Sequence, residues 1–116
     1  MAITLTNSNV EKVGFIANGN SADLSGCEIL KAAVTGKSIH LTRLTINSAA
    51  AINITIGAGE TTGAVTTILV GPIYFAINTH IELVFIRPLK LAAATDLTVD
   101  ASGAGNVTLI AQGFIK

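Results

Sequence analysis

The sequence predicts an all-β domain, an antiparallel β-sandwich of jelly-roll-like topology with about eight or nine short strands. Three observations carry that prediction. Thr, Val and Ile dominate while Gly and Asn recur at short intervals, and no stretch reads as a long helix. Apolar and polar residues alternate at period two in several places, as in strands with one wet face. The length of 116 residues suits one sandwich or small barrel and not two separate cores, so residues 1–116 are read as a single domain. An immunoglobulin-like sandwich lacks support, because the chain has one cysteine and no tryptophan.

Taken in order, residues 1–26 read as an N-terminal arm or an edge strand. Within them Val10 to Ala17 suits a strand, whereas Asn18-Gly19-Asn20-Ser21-Ala22-Asp23 is turn chemistry and expected to be exposed. Glu28 to Val34 and Ser38 to Thr42 flank Thr35-Gly36-Lys37, which reads as a hairpin with a lysine in the turn. The strand from Ser38 then changes phase. Ile39 and Leu41 are odd-numbered, while Leu44 and Ile46 are even-numbered. A β-bulge near Thr42-Arg43 puts all four on one face.

Ile52, Ile54 and Ile56 alternate with Asn53 and Thr55, and Gly57-Ala58-Gly59 is expected to end that strand in a flexible loop reaching Gly63. Leu97 to Ala101 repeats the alternation. Ser102 to Asn106 then reads as a hairpin loop into Val107 to Ala111.

Two stretches are apolar on both faces. Ile81, Leu83 and Phe85 face one way while Val84 and Ile86 face the other, and Leu109 and Ile115 are opposed by Ile110 and Phe114. A sandwich strand needs one apolar face. The second face calls for a second cover, either a long loop over a central strand or a neighbouring subunit.

Composition points the same way. Charged residues are 12% of the chain, hydrophobic residues 50%, and the formal net charge is zero. So few charges leave Ser, Thr, Asn and Gly, or a partner, to cover the surface. A neutral chain offers no long-range attraction to nucleic acid or to anionic lipid, so neither is expected as a partner. The most apolar run, Ile68 to Ile77, is half a membrane span and contains Gly71-Pro72. Met1 to Thr6 lacks the basic start and apolar core of an export signal, which suits synthesis in a cytoplasm. Cys27 stands alone and reads as a small buried side chain and not as a nucleophile.

No pattern points to chemistry. The acidic residues are scattered singly, and an aromatic-lined sugar cleft is unsupported by one Tyr and four Phe. His40 and His80 have no short ligand spacing and read as surface or cross-strand residues. No Gly-x-Ser-x-Gly elbow occurs. Gly36-Lys37-Ser38 lacks the upstream glycine of a phosphate loop, since Lys31 holds that place, and a strand follows where a helix is needed. The expectation is therefore no enzyme and no cofactor, with no catalytic, metal or cofactor-binding residue. Arg43 and Arg87 are the two arginines, and Arg87, before Pro88 at the end of an apolar strand, is either a solvated strand end or an interfacial arginine that pairs with a neighbour's carboxylate. The candidate oligomer or partner interface comprises Arg43, Phe75, Val84, Ile86, Arg87 and Phe114.

Several segments resemble a known group. Ala32-Ala33-Val34-Thr35-Gly36-Lys37-Ser38-Ile39 resembles a hairpin of small bacteriophage virion proteins. A strand ending near Ser48-Ala49-Ala50-Ala51 and a Thr/Ile strand follow as in that family. Leu91 to Val99 resembles its segment of small residues before a strand, and a closing strand starts at Val107. The resemblance runs from Glu28 to Lys116 and is weaker between Thr66 and Pro88, where that group carries more glycine and aromatic residues. It implies a β-sandwich on the virion exterior, a capsid decoration or cement protein that forms a homotrimer on the major capsid protein and stabilises the phage head. Other virion roles (tail, neck or fibre subunit) fit the same fold, and a carbohydrate-binding module is the alternative from another class.

Overall fold

A computed structural model describes residues 13–24 and 26–116. The expected arm over residues 1–12, including the first three residues of the strand expected from Val10, lies outside the described residues.

Eight strands follow in chain order: β1 (Val13–Asp23), β2 (Glu28–Lys31), β3 (Ile39–Ser48), β4 (Asn53–Thr61), β5 (Ala64–Tyr74), β6 (Thr79–Lys90), β7 (Leu97–Ala101) and β8 (Ala104–Ile115). They form two antiparallel four-stranded sheets with orders β1-β8-β3-β6 and β2-β7-β4-β5. Apart from β4-β5, strands adjacent in sequence lie in opposite sheets, the winding of a jelly roll. The fold is the all-β sandwich that the alternation predicts.

The phase change in β3 is a bulge. Leu41 pairs with Gly113 and Arg43 with Gln112, leaving Thr42 as the extra residue. Ile39, Leu41, Leu44 and Ile46 are consequently all buried on one face. They join Ile54 and Ile56 of β4, Leu97 and Val99 of β7, and Val107, Leu109 and Ala111 of β8 in the core between the sheets. Each large side chain fully removed from water contributes about 1.5–3 kcal/mol.

Four local expectations are corrected. Thr35-Gly36-Lys37 is a turn, with Lys37 N–H donating to the Val34 carbonyl at 3.0 Å, but β2 and β3 do not pair. The chain crosses there from one sheet to the other. The same holds at Ser102-Gly103, because β7 and β8 belong to opposite sheets. Turn chemistry is identical for a hairpin and a crossover, so sequence alone does not separate them. Asn18 to Asp23 is not a loop but the second half of β1, paired with β8 through Asn20↔Thr108 and Ser21↔Val107.

Gly57-Ala58-Gly59 lies inside β4. A Cβ on Gly57 would come within 2.6 Å of both Val65 Cβ and the Thr67 carbonyl, so close strand approach demands the glycine there. The true turn is Thr62-Gly63, with φ of 51° and 80°, between the paired residues Thr61 and Ala64. Two positive φ values in a two-residue loop match a hairpin turn whose twist suits the strands.

Candidate functional site

Sheet pairing arranges the outward side chains of the β1-β8-β3-β6 sheet in rows. One row is Ile16, Gln112, Arg43 and Val84, and a second is Gly14, Phe114, His40 and Lys90. Arg43, Val84 and Phe114 thus share one face. The Arg43 guanidinium meets Glu82 Oε2 through Nη2 at 2.7 Å and Nε at 3.0 Å, an exposed pair that contributes at most about 1 kcal/mol. Arg43 is therefore paired within its own chain. Phe114 stacks on His40 with ring centroids 4.5 Å apart and planes 12° apart, which explains its half-burial on an outer face.

β6 carries three of the expected residues. It is an edge strand, and its register with β3 jumps from Arg43↔Val84 to Leu41↔Leu89. Phe85, Ile86, Arg87 and Pro88 therefore stand opposite Thr42 alone and bow away from the sheet. Ile86 is 98% exposed and Val84 65% exposed, while Ile81, Leu83 and Phe85 pack against the core. The strand is two-faced as the sequence indicates. The cover by a long loop does not exist among the described residues, and β6 is not a central strand. Phe75 departs from the expected set. It is 6% exposed, and its N–H donates to the Ile52 carbonyl at 2.9 Å, so its ring fills the core and offers no surface to a partner.

Near the C-terminus, Leu109 and Ile115 face inward, whereas Ile110 and Phe114 are only half-buried. Sequence reasoning missed other exposed apolar residues: Val13, Ile16, Ile29, Val34, Ile68, Tyr74 and Ile77. Ile68 pairs with Gly57, which faces outward between the inward Ile56 and Ala58, and so it faces outward too.

His40 and His80 lie in different rows of one sheet, opposite Lys90 and Asn47, about 20 Å apart along the strands. Among the described residues no group of three His, Cys, Asp or Glu is placed to hold a metal ion. Cys27 is buried at φ 52°, and burial pushes its thiol pKa up; the Thr98 hydroxyl pulls the other way, and the nearby carboxylates Asp100, Glu60 and Glu28 add to the rise. That keeps the sulfur protonated and poorly nucleophilic. Thr98, fully buried, donates its hydroxyl to the Gly59 carbonyl at 2.8 Å.

No family model matches this chain, and no curated protein matches it.

Proposed function

We propose that the chain is a structural virion protein, a capsid decoration or cement protein that binds the assembled capsid lattice of a phage and stabilises the head. In this role it acts without catalysis, as a homotrimer on the outside of the shell, with itself and the major capsid protein as partners. The observation that supports this most is a jelly roll that leaves large apolar side chains in water, among them Ile86 at 98% and Val84 at 65% exposure on the edge strand β6. A fold with most backbone groups held in ladders loses little ordering entropy on docking. The resemblance of residues 28–116 to small virion proteins supports the same conclusion; jelly rolls also serve in lectins, so the fold by itself is analogy.

The mechanism is linkage. A protein that binds the assembled lattice and not the free capsid subunit stabilises the lattice by its binding free energy. Modest contacts repeated around a symmetric shell by an oligomer gain from high effective concentration. The test is co-sedimentation of the purified chain with phage heads assembled without it, alongside free capsid subunits. Saturable binding to heads alone, with a higher temperature of DNA release, is expected. Equal binding to free subunits, or none to heads, overturns the proposal.

A further inference from the structure

The outer face of the β1-β8-β3-β6 sheet changes character along its length. The rows that hold Arg43, Val84 and Phe114 lie toward one end. At the other end one row is Asn20, Thr108, Asn47 and His80, each from a different strand. Asn18 stands on the same face one row inward, and Asn106 on the same face two residues before Thr108. Asn78 comes from the turn before β6, at φ 54°. Five of the six asparagines among the described residues thus gather at one end of one face, and the sixth, Asn53, is in β4.

Strands disfavour asparagine. An edge strand tolerates it, which accounts for Asn18 and Asn20 of β1, but β8 and β3 are the two inner strands of their sheet. Asn106 and Asn47 therefore stand where Thr or Val is the ordinary choice. Local preference overridden at clustered positions is the mark of a functional site.

Asn47, Ala49, Asn78, His80, Asn106 and Thr108 line a depression of about 380 Å³. Sites for small ligands span roughly 300–1,000 Å³. Among the described residues, none of the Asn47, Asn78, His80, Asn106 and Thr108 side chains has a hydrogen-bond partner. Other surface hydroxyls bond within the chain, as Ser21 does to Glu28, Thr61 to Thr66 and Thr79 to the Ile77 carbonyl. The depression holds no Lys, Arg, Asp or Glu, and Glu82 in the next row is engaged by Arg43.

We propose that this depression binds a neutral sugar through adjacent hydroxyl groups. An Asn amide donates and accepts at once, and so does a hydroxyl, so each amide can pair with two neighbouring hydroxyls of a pyranose. A phosphate or carboxylate calls for Arg or Lys, and a hard cation calls for carboxylates; neither is present in the lining. An apolar ligand finds only Ala49. A peptide strand docks on an unpaired sheet edge, whereas the backbone of β3 and β8 here is paired on both sides. The depression lacks an aromatic ring, so a single site binds modestly, and display in many copies raises the effective affinity. His80 lies six residues from Ile86, about 20 Å along β6, so sugar binding neither needs nor blocks the apolar residues assigned above to docking.

Nitrogen-proton correlation NMR on the labelled chain tests this, with D-glucose, D-galactose, D-mannose and N-acetyl-D-glucosamine as probes. At least one is expected to shift the side-chain amide signals of Asn47, Asn78 and Asn106 saturably, with a Kd of about 1 mM. Asn47→Ala should weaken that binding about tenfold, as should Asn78→Gly, which removes the amide and keeps the left-handed turn. Asn53→Ala, on the other sheet, should bind as wild type does. Sodium phosphate should leave the amide signals in place. No saturable shift with any of these sugars overturns the inference. So do shifts that lie elsewhere, shifts that survive both Asn47→Ala and Asn78→Gly, or an equal response to phosphate. A chain that binds sugar but no heads overturns the capsid reading alone, and one that binds heads but no sugar overturns the sugar site alone.

Discussion

Replacing Gly113 by alanine tests whether the β3 bulge dictates the sequence of β8. Gly113 pairs with Leu41, one residue before the extra Thr42. An added Cβ would run into the carbonyl of His40 and stand 3.2 Å from Leu41 Cα. Both obstacles are backbone, so no rotamer change relieves them, and β8 must move away from β3 at the middle of its sheet. Overpacking of this kind costs about 1–3 kcal/mol. Each ladder hydrogen bond stretched by the movement costs about 0.5–1.5 kcal/mol more. A loss of about 3 kcal/mol is expected, which lowers the thermal midpoint by about 10 °C in a domain of this size. Gly14→Ala is the control. Its Cβ meets only the Gly113 carbonyl at an ordinary 3.8 Å, and alanine in a strand gains about 0.5–1 kcal/mol over glycine. Urea unfolding of both variants measures the difference. A Gly113→Ala midpoint equal to that of wild type, at unchanged slope, refutes the steric account.

Further outcomes follow from single contacts. Thr98→Val removes the hydroxyl donor to the part-buried Gly59 carbonyl, and urea unfolding should show a loss of about 0.5–1.5 kcal/mol. Arg43→Ala removes an ion pair whose side chains are 45% and 47% exposed, so stability should fall by less than about 1 kcal/mol and the difference should shrink in high salt. The raised Cys27 pKa means the native state holds its proton more tightly than the unfolded chain does. That contribution is complete below the unfolded thiol pKa and is lost as pH rises through the native one. Alkylation of Cys27 should therefore be slow at neutral pH and accelerate on unfolding, and Cys27→Ala should reduce the alkaline loss of stability seen by urea titration.

Much of the fold is legible because alternation is a direct consequence of strand geometry. Ile54 and Ile56 name the inner face of β4, and the odd-to-even change from Leu41 to Leu44 places a bulge near Thr42-Arg43, where Thr42 is the extra residue. The two-faced character of β6 is equally plain in Val84 and Ile86. Sheet membership is less legible, since Gly36 supplies a tight turn whichever way the next strand goes. Asn18 to Asp23 misleads because an edge strand with one exposed face tolerates residues that elsewhere make turns, and pairing with β8 overrides their propensity. Phe75 misleads because it lies in an apolar run directly after the exposed Tyr74. The chain turns there, so Tyr74 points to water and Phe75 to the core. The exposure of Ile68 and Tyr74 depends on the register of β4 with β5, which no local pattern encodes.

The central claim, that this jelly roll decorates an assembled head, is tested most directly by electron cryomicroscopy of heads prepared with and without the chain. The account predicts extra density at symmetry-related sites on the outer surface, which the eight-stranded sandwich fits as clusters of three. Identical maps with and without the chain, or density confined to a tail or neck, would contradict it.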